Sequence, residues 1–336
     1  MPDQLTAINT EDAILPDCLI QAGAVEKLFG HGGEIATIHR KRTNLATSYE
    51  IDLLTVELTS GERRHVFLKN YGISIRGKDQ RERRIDREVR VYRELLAGAD
   101  LDTPQYCGSV LAPARGQTLL LLEYILGTMV DHEADLRYWI EAPRWIGRLH
   151  AHFARQCERL ERCDYLLRHD ENHFMNVLST ARHAVAQLTP ELSDRFEQVA
   201  RRYQPIAREM GRPFPSYTLV HGAFRSNNVM VCDRNEPIRF VGYDWEEAAV
   251  GSPLYDLAYF ADGFEPPVLG QMFEMYRRGA GAEYSATLDD RTMRRLFDCF
   301  RVHVITNTLA SAIVRRYTRE DVIKLVAMLE DRFAAL

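Results

Sequence analysis

The sequence predicts an α+β fold: a smaller β-rich part carrying one helix, followed by a larger and mostly helical part. Three observations predict it. Residues 34–71 hold three stretches rich in β-branched and aromatic residues, separated by short polar connections. One helical stretch interrupts the pattern before two further strands. Beyond Gly127 the apolar spacing becomes helical almost to the last residue.

The elements follow in order. Residues 18–30 read as a short amphipathic helix stopped by Gly30. IATIHRKR, ATSYEIDLLTVEL and RHVFLKNY read as strands, with TSGE at 59–62 as the turn between the last two. From Arg81 the run RERRIDREVRVYRELLAG places Ile85, Val89, Tyr92 and Leu95 on one helical stripe, and Gly98 marks its end. Two strands are expected near 105–112 and 118–125. Helices are expected over 134–163, 173–186 and 190–210, with Trp139, Trp145, Ile146, Leu149 and Phe153 as core candidates of the first. Thr189 and Pro190 suit the start of the third. VMVCDRNEPIRFVGYDW reads as a hairpin, and the rest from about Pro253 as amphipathic helices.

Composition bounds the function. At 336 residues, 46% apolar and 27% charged, the chain can bury a large core. A net charge of -5 argues against nucleic acid as a partner. No stretch has the length and polarity of a secretory signal or a membrane span, and the six cysteines are scattered without a CxxC pair. Both point to a cytoplasmic protein with reduced thiols.

The candidate chemistry lies in polar residues among apolar ones. Lys69 stands within the strand VFLKNY and Glu88 on the following helix. Read singly, they are an edge-strand lysine and a solvated helical acid. Read together, they are a Lys–Glu pair of the kind that orients a lysine on nucleotide phosphates. Asn228 follows the loop HGAFRSN and Asp244 ends IRFVGYD. Each alone is a turn or cap residue; as a pair they offer hard oxygen ligands for Mg²⁺.

HGAFRSNNVMV resembles the HGDxxxxN loop of the aminoglycoside phosphotransferase and choline kinase-like family, which has a two-lobed protein-kinase-like fold. LLLLEYILG at 119–127 resembles its hinge, IGRLHAHF at 146–153 its LxxLHA helix, and YDWEEAAVGSPLYDLAYF at 243–260 its IDWExxxxGxPxxDLA segment. The resemblance runs over residues 34–315. It implies an N-terminal extension at 1–33, a nucleotide-binding lobe at 34–125 and a catalytic lobe at 126–336. It implies ATP or GTP with Mg²⁺ as cofactors, Lys69 on the phosphates with Glu88 holding it, and Glu123, Tyr124 and Ile125 as the hinge against the base. It further implies Asn228 and Asp244 as metal ligands, His221 as a brace of the catalytic loop and Asp256 as a structural acceptor. The covering loop RKRTNLATSYE lacks glycine, which leaves Ser48, Thr43 and backbone amides for phosphate.

The departure from the family pattern is Ala223, at the position where the family's aspartate accepts the acceptor's proton. A methyl group accepts none. Losing such a base costs about 10² to 10⁴ in rate. Three readings follow. The chain is an inactivated variant of a hydroxyl kinase, favoured because every other motif residue is retained. It is a natural pseudokinase that binds nucleotide and a protein partner. Or a neighbouring acid, among Glu246, Glu247 and Asp262, substitutes; Arg225, a cation, cannot. The resemblance implies a small-molecule or peptide hydroxyl as acceptor, with wall candidates at Asp131, His132, Glu133, Asp135 and Tyr138, and at Tyr255, Asp262 and Phe264.

Overall fold

The computed structural model describes residue 19 and residues 23–43, 49–74, 80–112, 117–235 and 237–336. The chain divides into two compact units, Met1–Gly127 with Cys232–Glu246, and Thr128–Val231 with Glu247–Leu336.

The first unit is built on a five-stranded antiparallel sheet. Its strands are β1 (Ile35–Arg42), β2 (Tyr49–Leu58), β3 (Arg63–Ser74), β4 (Tyr106–Ala112) and β5 (Gln117–Glu123), in the order β1-β2-β3-β5-β4. Alternation along β2 buries Asp52, Leu54, Val56 and Leu58. These last three, with Ile38, Val66, Leu68, Leu119 and Leu121, form one core with Val25 and Phe29 of the short helix α1 (Ala24–Phe29). Gly30 ends α1 in the left-handed region at φ 79°.

Lys69 is one residue out of phase with Leu68, so it leaves the other face of the sheet. Its backbone neighbours are Ile51 on β2 and Leu120 on β5, so its strand is central. The edge-strand reading of Lys69 is therefore wrong: β5 rather than β4 pairs with β3, which hairpin-by-hairpin reasoning does not reveal. Helix α2 (Arg81–Arg90) runs directly into a π-helical stretch, Val91–Leu96, whose Val91, Tyr92, Leu95 and Leu96 are buried. Strand β10 (Arg239–Gly242) also belongs to this unit.

In the second unit, β6 (Thr128–Met129) pairs with Met230 and Val231 of β9 (Val229–Asp233). Helix α3 (Leu136–Ala154) is capped by Asp135, which accepts from the Arg137 N–H. The expected 134–163 helix is two: α3 stops at Ala154, and α4 (Cys157–Glu161) follows. Trp145, Ile146, Leu149 and Phe153 are buried as expected, while Trp139 is only half-buried.

Helices α5 (Glu171–Leu188), α6 (Ser193–Met210), α7 (Leu254–Ala261), α8 (Pro266–Ser285), α9 (Asp290–Ala310) and α10 (Arg319–Ala335) complete the unit. α3 and α8 approach at two glycines. A Cβ on Gly147 would lie 2.2 Å from the Tyr276 carbonyl oxygen, and one on Gly279 would lie 1.9 Å from that of Arg144. A small mixed sheet, β7 (Leu167–Arg168), β11 (Ala249–Gly251) and β8 (Thr218–Val220), with β11 in the middle, holds the start of the His221 loop. Among the described residues no helix is long and apolar enough to cross a membrane, and the five cysteines are free thiols.

Candidate active site

In the first unit the sheet, α2 and the segment after β10 bring three charged side chains together. Lys69 Nζ donates to Glu88 Oε2 at 2.7 Å and to Asp244 Oδ1 at 2.8 Å. Tyr71, on the same face of β3, donates its hydroxyl to Glu88 Oε2 at 2.6 Å. The Glu88 side chain is 2% exposed and that of Asp244 34%, so the cluster opens on the Asp244 side. Asp244 sits at φ 66°, a left-handed conformation that aspartate tolerates better than most residues. Arg87, one residue before Glu88, donates to the Glu246 carbonyl and ties this segment to α2.

The electrostatics follow from burial. Removal from water weakens the Lys69 ammonium, but the carboxylates of Asp244, Glu88 and Glu246 outweigh that and hold its pKa above the ordinary lysine value. Burial raises the Glu88 pKa, against the pull of Lys69. Burial also raises the Tyr71 hydroxyl well above its usual range, so it remains a donor. Arg87 is pushed down to about 10 by burial and by Arg84.

In the second unit the loop after β8 is held by its backbone. Asp256, fully buried on α7, accepts from the His221 N–H at 2.7 Å and the Gly222 N–H at 2.9 Å. His150 of α3, itself fully buried, lies 3.1 Å from Asp256 through Nε2. Gly222 has φ 79°, and a Cβ there would lie 2.0 Å from the Glu247 carbonyl oxygen, so only glycine fits. The Ala223 N–H donates to His221 Nδ1 at 3.3 Å, and the Asn228 side-chain amide donates to the Ala223 carbonyl at 2.9 Å. Phe224 anchors the loop, stacked on Phe260 at 4.9 Å and on Trp145 at 5.8 Å.

The structure thus brings Lys69, Glu88 and Asp244 together in one unit, and His221, Ala223, Asn228 and Asp256 in the other. Glu123 Oε2 accepts from the Gln105 N–H; Tyr124 and Ile125 follow β5. Ser48 lies outside the described residues. Of the wall candidates, Asp135 is a helix cap, and Asp262 is ion-paired with Arg301 and Arg332, both at 3.4 Å. No group of three or more His, Cys, Asp and Glu is placed to hold a metal among the described residues. Tyr71 and His150 were not singled out from sequence. His150 lies inside the IGRLHAHF segment, whose resemblance to the LxxLHA helix was the available signal; nothing local marks Tyr71.

A β-sheet unit with a buried Lys–Glu pair and a helical unit with a backbone-tied polar loop define the protein-kinase-like class of fold. The chain belongs to the phosphotransferase enzyme family, whose sequence pattern matches residues 50–294. No curated protein matches its sequence. Many solved structures are similar in fold, among them three phosphotransferases or kinases. APH(2″)-IIia, in a complex with GDP and kanamycin, is 14% identical with a TM-score of 0.56, over 93% of this chain and 97% of that one. Choline kinase from Cryptosporidium parvum is 12% identical with a TM-score of 0.57, over 89% and 90%. Macrolide 2′-phosphotransferase MphH from Brachybacterium faecium, as apoenzyme, is 15% identical with a TM-score of 0.56, over 94% and 98%.

Proposed function

We propose that the chain binds a purine nucleoside triphosphate, ATP or GTP, with Mg²⁺, and is built to transfer phosphate to a hydroxyl of a small molecule or peptide, a transfer crippled at Ala223. The observation that carries this is the Lys69 ammonium, buried on a central strand and fixed between Glu88 and Asp244. A buried cation held at two carboxylates is immobilised before any ligand arrives, which is what phosphate positioning requires.

Each residue then has a task. Lys69 binds phosphate oxygens, and Glu88 and Tyr71 keep it aimed. Backbone groups of Glu123 to Ile125 take the edge of the base. Asp244, a third exposed and with one oxygen already fixed, has the donor chemistry of a Mg²⁺ ligand, and Asn228 offers an amide oxygen. Bound Mg²⁺ would offset phosphate charge. His221 and Asp256 hold the loop that faces the acceptor, and at Ala223 no side chain receives the hydroxyl's proton.

GDP and kanamycin on one solved neighbour, and the choline and macrolide chemistry named for two others, support nucleotide and hydroxyl ligands. The Ala223→Asp variant tests the reading. It should consume ATP in the presence of a suitable hydroxyl acceptor about 10² to 10⁴ times faster than the unchanged chain. Calorimetry on the unchanged chain should show Mg²⁺-dependent nucleotide binding. No such binding sinks the proposal. Binding by both forms with turnover by neither moves the function to a nucleotide-binding pseudokinase.

A further inference from the structure

We propose that Arg225 recognises the acceptor and that the acceptor carries an anionic group, a carboxylate or a phosphate, near its reacting hydroxyl. The inference rests on the phosphotransferase reading and adds its substrate class.

Arg225 lies two residues past Ala223, between the anchored Phe224 and the loop's closing Asn228. It is half-buried. Its guanidinium stands 5.2 Å over the ring of Tyr259 on α7. Among the described residues its side chain makes no ion pair and no hydrogen bond; its backbone carbonyl accepts from the Asn228 N–H at 2.8 Å. Tyr259 is stacked on Tyr255 at 4.8 Å, and its hydroxyl accepts from the Asn307 amide of α9. The ring is therefore fixed from two sides, and it fixes the cation in turn.

A partly buried guanidinium without a counter-ion is costly, and an aromatic face offsets only a little of that cost. An incoming carboxylate or phosphate would satisfy it through the two-pronged geometry that arginine makes and lysine does not. Three of the acids on the helical unit are already engaged. Asp262 is paired with Arg301 and Arg332, Asp298 with Arg301 at 3.8 Å, and Asp135 caps α3. The same guanidinium could meet the phosphoryl group in transfer. The acceptor's anion is the assignment proposed, and the Arg225→Met variant below separates the two.

Four six-carbon compounds separate the cases: the sugar acid gluconate, glucose 6-phosphate, neutral glucose and cationic glucosamine. Binding to the unchanged chain is measured by calorimetry with and without Mg²⁺ and a non-hydrolysable ATP analogue, and turnover with the Ala223→Asp form. The two anionic compounds should bind at least tenfold tighter than glucose. Arg225→Met should erase that preference, and Arg225→Lys should restore part of it. Equal affinity for all four, or tightest binding of glucosamine, overturns the proposal. So does an Arg225→Met variant that loses nucleotide affinity and keeps the anion preference, which would assign the guanidinium to the phosphoryl group. If the nucleotide fails to bind but the Arg225-dependent anion preference persists, the phosphotransferase reading falls and the anion site stands.

Discussion

The two units bury their titratable groups in opposite ways. The sheet unit keeps a lysine charged in its interior by surrounding it with carboxylates. The helical unit buries His303 and most of His173, and burial lowers both. Its one fully buried carboxyl group near the loop, Asp256, faces backbone N–H groups and a histidine. In the first unit the cluster is held by side-chain charge and is lost if one of its side chains is removed. In the second, the loop is stored in backbone geometry, with Gly222, Asp256 and Asn228 as its fasteners. That difference explains how an alanine can occupy position 223 while the loop around it stands: the Ala223 contacts run through its backbone N–H and carbonyl.

The strongest way to break the comparison is at Asp256. Asp256→Ala leaves two backbone N–H groups and His150 without their acceptor in a fully buried setting, at about 1–3 kcal/mol each. A total near 5 kcal/mol rivals the whole stability of many domains. Chemical denaturation should show most of the stability gone, and Asp256→Asn, which keeps an oxygen, should lose about half as much. A loss of less than 1 kcal/mol in the alanine variant would mean that the loop is not held as described.

The Lys69 cluster gives a smaller but more diagnostic effect. Lys69→Met leaves Glu88 buried without its cation, a loss of about 3 kcal/mol. Adding Glu88→Gln removes the stranded charge while keeping a hydrogen-bond partner for Tyr71, so stability should partly return. Nucleotide affinity should not. Recovery of affinity along with stability would show that the cluster is structural only.

Much of this was legible in the sequence. The β-rich part, its single helix and the helical remainder follow from side-chain period and β-branched content. Lys69 and Glu88 were singled out as charged residues among apolar ones that could pair, and Asp256 through the family resemblance. What escaped depends on tertiary placement. The burial of Lys69 follows from a strand order in which β5 inserts beside β3, and neither loop length nor residue type announces that. The break after Ala154 occurs at Arg155 and Gln156, good helix formers without a proline or glycine to mark it. Trp139 stays half-buried beside Phe260 and Phe264, where helical period alone places it in the core.

The mildest test concerns the neutral histidines. His173 stacks on His169 at 4.5 Å, and His303 shares a hydrogen bond with the Tyr203 hydroxyl at 2.7 Å. Burial pushes His173 down to about 4, against the opposing pull of Asp170, while burial and then His173 hold His303 well below 6.5. An unfolded chain protonates both near 6.5. Between about pH 6.5 and pH 4, therefore, the unfolded state binds more protons than the folded one, and stability falls as pH falls. Each histidine contributes at most about 1.4 kcal/mol per pH unit in that window. Urea denaturation at pH 6.5 and pH 5, above the range where most carboxylates titrate, isolates the effect. The unchanged chain should lose stability between the two, and His173→Asn should lose roughly half as much. A charged Lys69 predicts no comparable loss over the same interval, because its shift is upward and its ionised form is the stable one. If His173→Asn showed the full slope of the unchanged chain, His173 would not be a neutral buried group, and the contrast between the two units would narrow to the lysine alone.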